Sequence, residues 1–413
     1  MPNLPITADV LVVGAGPAGS AAAYWLAKSG RDVVLADMAT FPRDKTCGDG
    51  LTPRAIAELD EMGLGDWIRQ HGKNRGLRAA GFGQELYLPW PGGSLPDYGS
   101  AVARTELDNK IREHALAQGA VMVEGAKAID AEIDQSGNVS AVVFKMGDSE
   151  HKIACKQLVV ADGVRSALGK ALGREWHRDT VYGVAGRSYV KTPRSDDPWI
   201  SSHLELRDDE KNLLAGYGWI FPLNNGEVNL GVGTLATAKR PTNIKVRPLL
   251  DFYAGLRREE WQLEDDLRMP TSALLPMGGA VSNVAGKNWV LIGDAAALVN
   301  PLNGEGIDYG METGRLAAEV LNTTQDLSQT WPAFLTDNYG EAFSIARRLA
   351  NLVTIPTLFK TAGPIGMRSQ MLMTFALRWM GNLVTEEDRD NAAKIWRWAG
   401  KRSIKVDDRP PFS

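Results

Sequence analysis

The sequence predicts an α/β fold, because strand-forming and helix-forming stretches alternate around a glycine-rich turn. Residues 9–13 (DVLVV) are a β-branched apolar run that predicts a strand. The sequence GAGPAG follows at once, and the helix-forming stretch 20–30 ends at Gly30. A second apolar run at 32–36 predicts the next strand. This order of strand, tight turn, helix and strand predicts a Rossmann-like unit at the N-terminus.

The glycine-rich turn has the spacing of a dinucleotide-binding site. Gly14 permits the tight turn, Gly16 lets the backbone approach a pyrophosphate, and Gly19 lets the helix pack close to the strand. The helix N-terminus offers N–H groups to an anion. Asp37 ends the second strand, where it can bind a ribose hydroxyl. We predict cofactor binding at Gly14, Gly16, Ala18, Gly19 and Asp37, with a purely structural turn as the alternative.

Two later apolar runs also end in an aspartate. Asp162 follows the run at 157–160 and Asp294 follows that at 288–292, so both are expected beyond the carboxyl ends of strands. A flavin requires an acceptor for its ribityl hydroxyls, and Asp294 is the candidate. The glycine-rich turn after it leads into a helix whose N–H groups would stabilise negative charge on a reduced flavin. Helix capping is the alternative for both aspartates. This region adds further cofactor residues: Asp162, Gly163, Gly293, Asp294, Pro301, Gly304, Glu305, Gly306 and Ile307.

These motifs resemble a known family of flavoproteins. GAGPAG, ADGVRS at 161–166 and GDAA at 293–296 are similar to the flavoprotein superfold of p-hydroxybenzoate hydroxylase type. FPRDKTCGDGLTPRA at 41–55 and GYGWIFPLNNGEVNLGVG at 216–233 resemble the geranylgeranyl reductase family. Within that family the sequence is most similar to members that saturate one isoprene unit of the menaquinone tail. The resemblance covers residues 9–320 and implies FAD as the cofactor.

The resemblance also places a loop and an arginine at the flavin. It implies that Arg43, Cys47 and Gly48 lie against the cofactor, with Cys47 facing the active cavity; a small buried thiol is the alternative. Cys47 or Asp49 is the predicted catalytic acid. Arg104 begins a helix, where its charge opposes the helix dipole, so a nearby cofactor phosphate would explain it. An ordinary surface arginine is the alternative, and Thr105 with Asp108 has the pattern of a capping box.

The stretch 216–233 predicts an apolar wall. Aromatic residues alternate with small ones, which places three aromatic rings on one face of a strand. A core sheet face is one interpretation. The other is a slot over the flavin for a polyprenyl chain, in which aromatic faces stabilise cationic character at an alkene carbon. The predicted substrate-binding residues are Tyr217, Trp219, Phe221, Pro222, Gly231 and Gly233.

The chain divides into three predicted parts. Residues 1–75, 105–175 and 275–330 form the FAD-binding domain, 76–104 and 176–274 form a β-rich substrate domain, and 331–413 form a helical C-terminal region. The C-terminal helices have apolar stripes but lack a charge-free run long enough to span a bilayer. They are expected to be packing elements or a peripheral contact with the inner face of the cell membrane.

Composition excludes several other classes of protein. The 46 Lys and Arg are scattered and balanced by 50 Asp and Glu, which is unlike a nucleic-acid-binding protein. The two cysteines, Cys47 and Cys155, cannot build a disulfide framework, and Met1–Asp9 has no secretion signal, so we expect a cytoplasmic monomer or dimer. We predict no metal site. NAD(P)H or another electron donor would bind without a dedicated domain, because no second GxGxxG follows a strand.

The predicted reaction is saturation of an isolated C=C bond in a polyprenyl lipid or quinone by hydride transfer from reduced flavin. One alternative on the same scaffold is a flavin-dependent monooxygenase or halogenase acting on an aromatic or polyketide substrate. Another is a flavin-binding redox partner without turnover.

Overall fold

The computed structural model describes residues 6–413, apart from the side chains of Pro356 and Phe359. Residues 1–5, which belong to the first predicted segment, lie outside this description. The strands are β1 (Thr7–Val13), β2 (Val33–Ala36), β3 (Gly50–Leu51), β4 (Lys73–Asn74), β5 (Gly76–Gly81), β6 (Gln84–Pro89), β7 (Gly99–Ala101), β8 (Val121–Val123), β9 (Lys127–Ile133), β10 (Val139–Met146), β11 (Ser149–Val160), β12 (Glu175–Trp176), β13 (Tyr182–Lys191), β14 (Ile200–His203), β15 (Gly216–Pro222), β16 (Glu227–Ala236), β17 (Arg268–Pro276), β18 (Val281–Ser282) and β19 (Trp289–Leu291).

The helices are spread along the chain and are most frequent after residue 306. They are α1 (Pro17–Lys28), α2 (Pro53–Glu61), α3 (Gly65–Ile68), α4 (Arg104–Ala117), α5 (Ala167–Ala171), α6 (Val246–Trp261), α7 (Ile307–Thr323), α8 (Leu327–Leu335), α9 (Glu341–Val353), α10 (Pro356–Gly366), α11 (Gln370–Met380) and α12 (Asn391–Lys405). A short 3₁₀ turn at Gly293–Ala296 follows β19.

The first sheet carries the predicted Rossmann-like unit. Its order is β8-β2-β1-β11-β10-β9, and β19 pairs with the end of β11. Strands β8, β2, β1, β11 and β19 run parallel, so their carboxyl ends meet at one edge. Helices α1 and α7 cross closely over this sheet: a Cβ at Gly314 would lie 2.5 Å from the Ala18 carbonyl oxygen. The parallel strands therefore bring Gly14, Asp37, Asp162 and Asp294 to the same side of the sheet.

The second sheet is mostly antiparallel, with the order β17-β13-β16-β15-β14-β5-β6. Helix α6 covers one face, where Tyr253 and Trp261 are buried among the aliphatic residues of β15 and β16. The opposite face of β15 carries the aromatic residues. Strand β17 ends at Pro276, two residues beyond the boundary that the sequence predicts at 274.

The C-terminal region is helical, as predicted, and packs on both sheets. Trp331 and Phe343 belong to the core of the first sheet, while Met367 and Leu377 pack with β5 and β6 of the second. Helices α9 and α10 are separate, because Pro356 begins a new helix after the turn at Thr354 and Ile355. Among the helices within residues 6–413, none combines the length and the apolar character needed to cross a bilayer.

Candidate active site

The glycine-rich turn is packed so tightly that side chains cannot be added at two of its positions. Gly14 has φ +104°, and a Cβ there would lie 2.2 Å from the Ala161 carbonyl oxygen. A Cβ at Gly19 would lie 1.8 Å from the Gly14 carbonyl oxygen. At Gly16, the N-cap of α1, the nearest atom to an added Cβ is the Arg43 guanidinium at 3.4 Å. The start of α1 therefore pairs an uncapped helix N-terminus with a cation, an arrangement suited to a pyrophosphate.

Asp37 closes this turn from the next strand. One carboxylate oxygen accepts a hydrogen bond from the Ala15 amide at 2.7 Å, and the other accepts one from the Ala39 amide at 2.8 Å. The side chain is 7% exposed, so it lies at the edge of the site. Its predicted contact with a ribose stays a prediction. Ala18 has a packing role in the structure, since a Cβ at Gly293 would lie 2.8 Å from the Ala18 Cβ.

The two later aspartates have different partners. Asp162 accepts hydrogen bonds from the Ser166 hydroxyl at 2.6 Å and from the Leu168 amide in the first turn of α5. These contacts correspond to helix capping, the alternative interpretation of this aspartate. Gly163, with φ +77°, forms the turn between them. Asp294 pairs instead with the Lys45 ammonium at 2.7 Å. Burial opposes ionisation of Asp294, but Lys45 outweighs it and holds the pKa of this carboxyl below its usual value.

The position of Arg104 at the start of α4 is explained by an ion pair with Asp108, a residue that the sequence predicts to be part of a capping box. Its guanidinium binds both carboxylate oxygens of Asp108, at 2.5 and 2.7 Å, and Arg43 contacts the same carboxylate at 3.0 Å. Arg104 and Asp108 are both buried. The predicted capping box is wrong, because α4 begins after Ala103 without a side-chain cap and Asp108 points to arginine. The neutralised, buried arginine no longer requires a phosphate to account for it.

The loop between β2 and β3 is held from behind by a buried hydrogen-bond network. Asp49 is 0% exposed and has φ +64°. Its Oδ2 accepts hydrogen bonds from the Tyr189 hydroxyl at 2.7 Å and the Asn229 amide at 2.8 Å. Asn229 also donates to the Cys47 carbonyl and accepts from the Trp219 indole. Burial raises the pKa of Asp49 to about 6 although these donors lower it. Asp49 thus ties the Cys47 loop to the second sheet and does not face an open cavity.

The aromatic residues of β15 form one continuous wall. The ring centroids of Tyr217 and Trp219 lie 5.9 Å apart, and those of Trp219 and Phe221 lie 6.3 Å apart. Glycines make room for the rings on both sides. A Cβ at Gly231 would lie 2.1 Å from the Trp219 ring, and one at Gly50 would lie 3.0 Å from the Phe221 ring. Gly48 approaches both rings, Gly233 lies beside Trp219, and Pro222 ends the strand. The half-buried Cys47 lies beside this wall.

The loop from Pro301 to Gly306 faces the same wall. The Tyr217 hydroxyl donates to the Asn303 carbonyl at 2.5 Å. The Glu305 carboxylate accepts from the Thr52 hydroxyl at 2.5 Å and from the Asn303 amide at 3.3 Å. Burial and the neighbouring Asp308 raise the pKa of Glu305 well above its usual value. Gly306 caps α7 without a side chain, so the N-terminus of α7 at Ile307 opens toward the loop.

Residues near the end of α11 hold this loop in place. Arg54 donates to the Asn382 carbonyl at 2.8 Å, and the Asn382 amide donates to Asp308 at 2.9 Å. The Asn300 amide donates to the Met380 carbonyl at 2.8 Å. We call these contacts the C-terminal clamp. They join α2, the start of α7 and the helical C-terminal region.

Several residues of this arrangement were not found from the sequence. Asn229 stands opposite Phe221 in the pairing of β15 and β16, so the strand alternation within 216–233 could have indicated it. The missed residues with side-chain hydrogen bonds or ion pairs to predicted site residues include Lys45, Thr52, Asp108, Ser166, Tyr189, Asn229 and Asn303.

The site has the features that FAD requires of a protein. It offers two helix N-termini without side-chain caps, a glycine cradle that a Cβ would fill, and Arg43 beside the first helix. The family model described as FAD binding domain matches residues 7–325. The menaquinone reductase of Mycobacterium tuberculosis is 60% identical over 407 residues, which are 98% of this chain and 99% of that protein.

Solved structures of similar fold agree with this match. A geranylgeranyl bacteriochlorophyll reductase-like protein from Thermoplasma acidophilum superposes with a TM-score of 0.77 at 20% identity, covering 95% of this chain and 99% of that one. A flavin-dependent brominase superposes with a TM-score of 0.73 at 19% identity, covering 97% and 100%. These comparisons confirm the predicted fold class, and the shared fold alone does not separate reductase from halogenase chemistry.

Proposed function

The chain belongs to the FAD-binding-domain family and to the family of menaquinone reductases, and on this premise we propose that it reduces an isolated C=C bond in the polyprenyl tail of menaquinone. The observation that carries the proposal is the 60% identity over 98% of the chain. The aromatic wall beside the Cys47 loop supports it, since an apolar slot suits an isoprene chain.

In the proposed reaction, bound FAD supplies a hydride, and the protein positions the alkene and supplies a proton. Gly14, Gly16 and Arg43 would hold the pyrophosphate, and Asp37 the ribose. The N-terminus of α7 would stabilise negative charge on the pyrimidine side of the flavin. Asp294 would accept from the ribityl hydroxyls.

The aromatic wall would act on the substrate. Tyr217, Trp219 and Phe221 present ring faces that exclude water and stabilise cationic character at a substituted alkene carbon. The electron donor that reduces the flavin, NAD(P)H or another reductant, would bind only transiently. We base this on the sequence, in which no second glycine-rich dinucleotide motif follows a strand.

We further propose that the C-terminal helices bind the anionic surface of the inner face of the cell membrane. Residues 342–385 contain five Lys or Arg and no Asp or Glu. Ile365 is 65% exposed and Met371 is 62% exposed, and Lys360 and Arg368 are exposed near them. Arg347 and Arg378 of this segment pair with carboxylates outside it, so Lys360 and Arg368 supply the exposed positive charge next to the apolar side chains. Exposed apolar side chains next to exposed positive charge are typical of a surface that binds anionic lipid. Phe221 of the wall packs in the same apolar cluster as Met367 and Leu377, so a slot along the wall would lie next to these helices.

Vesicle sedimentation tests this membrane contact. Each basic residue near an anionic surface contributes ~1 kcal/mol, so the double variant K360Q/R368Q should bind phosphatidylglycerol vesicles about 30-fold more weakly. Ile133→Glu changes an exposed apolar residue on β9 and should bind as the unsubstituted protein does. Equal binding by K360Q/R368Q, or no binding by the unsubstituted protein, would refute the contact.

An anaerobic product assay tests the reaction. The purified protein is reduced chemically, mixed with menaquinone and analysed by mass spectrometry. A gain of two hydrogens in the tail supports the proposal. A product that carries oxygen or halogen and forms only in air would establish the monooxygenase or halogenase alternative. No product under either condition would favour a flavin-binding redox partner.

A further inference from the structure

Saturation of an isolated alkene needs an acid that keeps its proton in an apolar slot. The two candidates from the sequence serve this role poorly. Asp49 is enclosed behind its own loop, with one carboxylate oxygen already accepting from Tyr189 and Asn229. Cys47 carries its thiol at a turn, where the Asp49 amide donates to the sulfur at 3.4 Å. We therefore expect the proton donor to be a different protonated group next to the aromatic wall.

Glu305 is a better candidate for this acid than Cys47 or Asp49, because hydrogen bonds connect its carboxyl group to the aromatic wall. Its loop touches the aromatic wall directly, because the Tyr217 hydroxyl binds the Asn303 carbonyl, and the Asn303 amide binds the Glu305 carboxylate. Thr52, on the segment that follows the Cys47 loop, holds the other carboxylate oxygen. Burial, and after it Glu305 and Cys47, raise the pKa of Tyr217, so the Tyr217 hydroxyl lies within electrostatic range of both groups. The three groups converge from three separate parts of the chain.

We propose that Glu305 is the acid that gives its proton to the alkene. This inference rests on the proposed function. The Glu305 O–H bond breaks, and the π electron pair of the alkene forms a new C–H bond with that proton. The other alkene carbon accepts a hydride from reduced FAD, which is thereby oxidised. Glu305 is left as a carboxylate and regains a proton from solvent before the next turnover.

The surroundings of Glu305 favour its protonated form. Burial and the Asp308 carboxylate on α7 raise its pKa. Hydrogen bonds from Thr52 and Asn303 and the Arg54 guanidinium on α2 lower it but do not compensate. Asp308, whose own pKa burial raises to about 6, is ionised above that pH and adds to the effect. The hydroxyls of Tyr217 and Tyr309, which also interact electrostatically with Glu305, carry no positive charge that would favour the carboxylate.

Single-turnover kinetics of the reduced FAD-loaded protein test the inference. Glu305→Gln should reoxidise its flavin with menaquinone at least about 100-fold more slowly, since general acid catalysis contributes 10²–10⁴-fold. Glu305→Asp should recover part of the rate. Glu319→Gln, which removes an exposed carboxyl from α7, the helix that follows the Glu305 loop, should match the unsubstituted protein. If the unsubstituted protein forms the two-hydrogen product and Glu305→Gln forms it equally fast, the acid is another group while the proposed function stands. No product from the unsubstituted protein would instead contradict the proposed function.

Two further measurements keep the inference testable if Glu305→Gln folds poorly. Infrared difference spectra between the unsubstituted protein and Glu305→Asp at pH 7 should show a protonated carboxyl band that shifts with this substitution; an unchanged band overturns the inference. Thr52→Val removes a hydrogen bond that lowers the pKa of Glu305. Thr52 is the N-cap residue of α2, but its side chain makes no capping hydrogen bond that the substitution would remove. The alkaline fall in rate should therefore move to higher pH in Thr52→Val, and an unmoved profile also overturns it.

Discussion

Asp49→Asn should change how the stability of this protein depends on pH. Asp49 is fully buried, and burial raises its pKa from 3.8 to about 6. Tyr189 and Asn229 both donate to one oxygen, and the other oxygen has no hydrogen-bond partner among the described residues. An asparagine can keep both accepted bonds while its NH₂ group takes the place of the second oxygen.

The direction of the effect follows from proton binding. Between pH 3.8 and about 6 the folded protein holds a proton on Asp49 that the unfolded chain has released. The free energy of unfolding therefore falls as pH rises through this interval. At about 1.4 kcal/mol per pH unit, this carboxyl removes about 3 kcal/mol of stability by pH 7. The stabilisation that comes from protonated Asp49 is therefore present at pH 4 and is lost at neutral pH.

Urea unfolding of the FAD-saturated protein at several pH values measures this effect. The stability of Asp49→Asn relative to the unsubstituted protein should rise by about 2.5 kcal/mol between pH 4 and pH 7, since part of the change has already occurred by pH 4. Comparing the two proteins at each pH cancels the contributions of all other carboxyl groups. Glu319→Gln, at an exposed position, provides the baseline for removing a carboxyl charge. Parallel stability profiles for Asp49→Asn and the unsubstituted protein would show that Asp49 is ionised in the folded state at pH 4, and the reasoning would be wrong.

Three further substitutions have defined outcomes. Gly19→Ala places a Cβ 1.8 Å from the carbonyl of the first glycine in the turn, so the purified protein should lose its flavin absorbance, and normal FAD content would contradict this reading. Arg104→Ala leaves Asp108 buried without its main partner and should lower the free energy of unfolding by about 3–5 kcal/mol, measured by urea denaturation. Removing Asp108 as well should restore part of that loss, and an additive double variant would count against the pairing. Gly231→Ala displaces the tryptophan of the wall and should lower kcat/KM for menaquinone at unchanged FAD content, whereas Gly233→Ala, with 3.5 Å of clearance, should be mild; equal effects of the two would contradict the wall.

The local parts of the site could be predicted from the sequence. The βαβ unit depends on neighbouring residues, so the positions of Gly14, Gly16 and Gly19 follow from the strand and helix around them. The aromatic wall could be predicted because aromatic and small residues alternate along one strand, and Tyr217 and Trp219 do lie on the same face of it. In both cases the residues that form the sequence pattern are only a few positions apart in the chain, and the same residues form the structural feature.

The partners of charged side chains could not be predicted, because they come from distant parts of the chain. Asp294 meets Lys45 across 249 residues, and Thr52 meets Glu305 across 253. The partner of Arg104 was missed for a different reason. Its partner Asp108 is one helical turn away, but an exposed i,i+4 pair and a buried one have the same sequence pattern.

The C-terminal clamp gives this protein a particular order of assembly during translation. Arg54 emerges early from the ribosome, but the Asn382 carbonyl that it binds is made 328 residues later. The Rossmann-like unit can therefore fold and meet FAD while the loop beside Glu305 still lacks its support from Met380 and Asn382. The contacts of the clamp can form only after Met380 and Asn382 have been synthesised. Incomplete chains released before residue 380 would carry the glycine cradle without a finished active site.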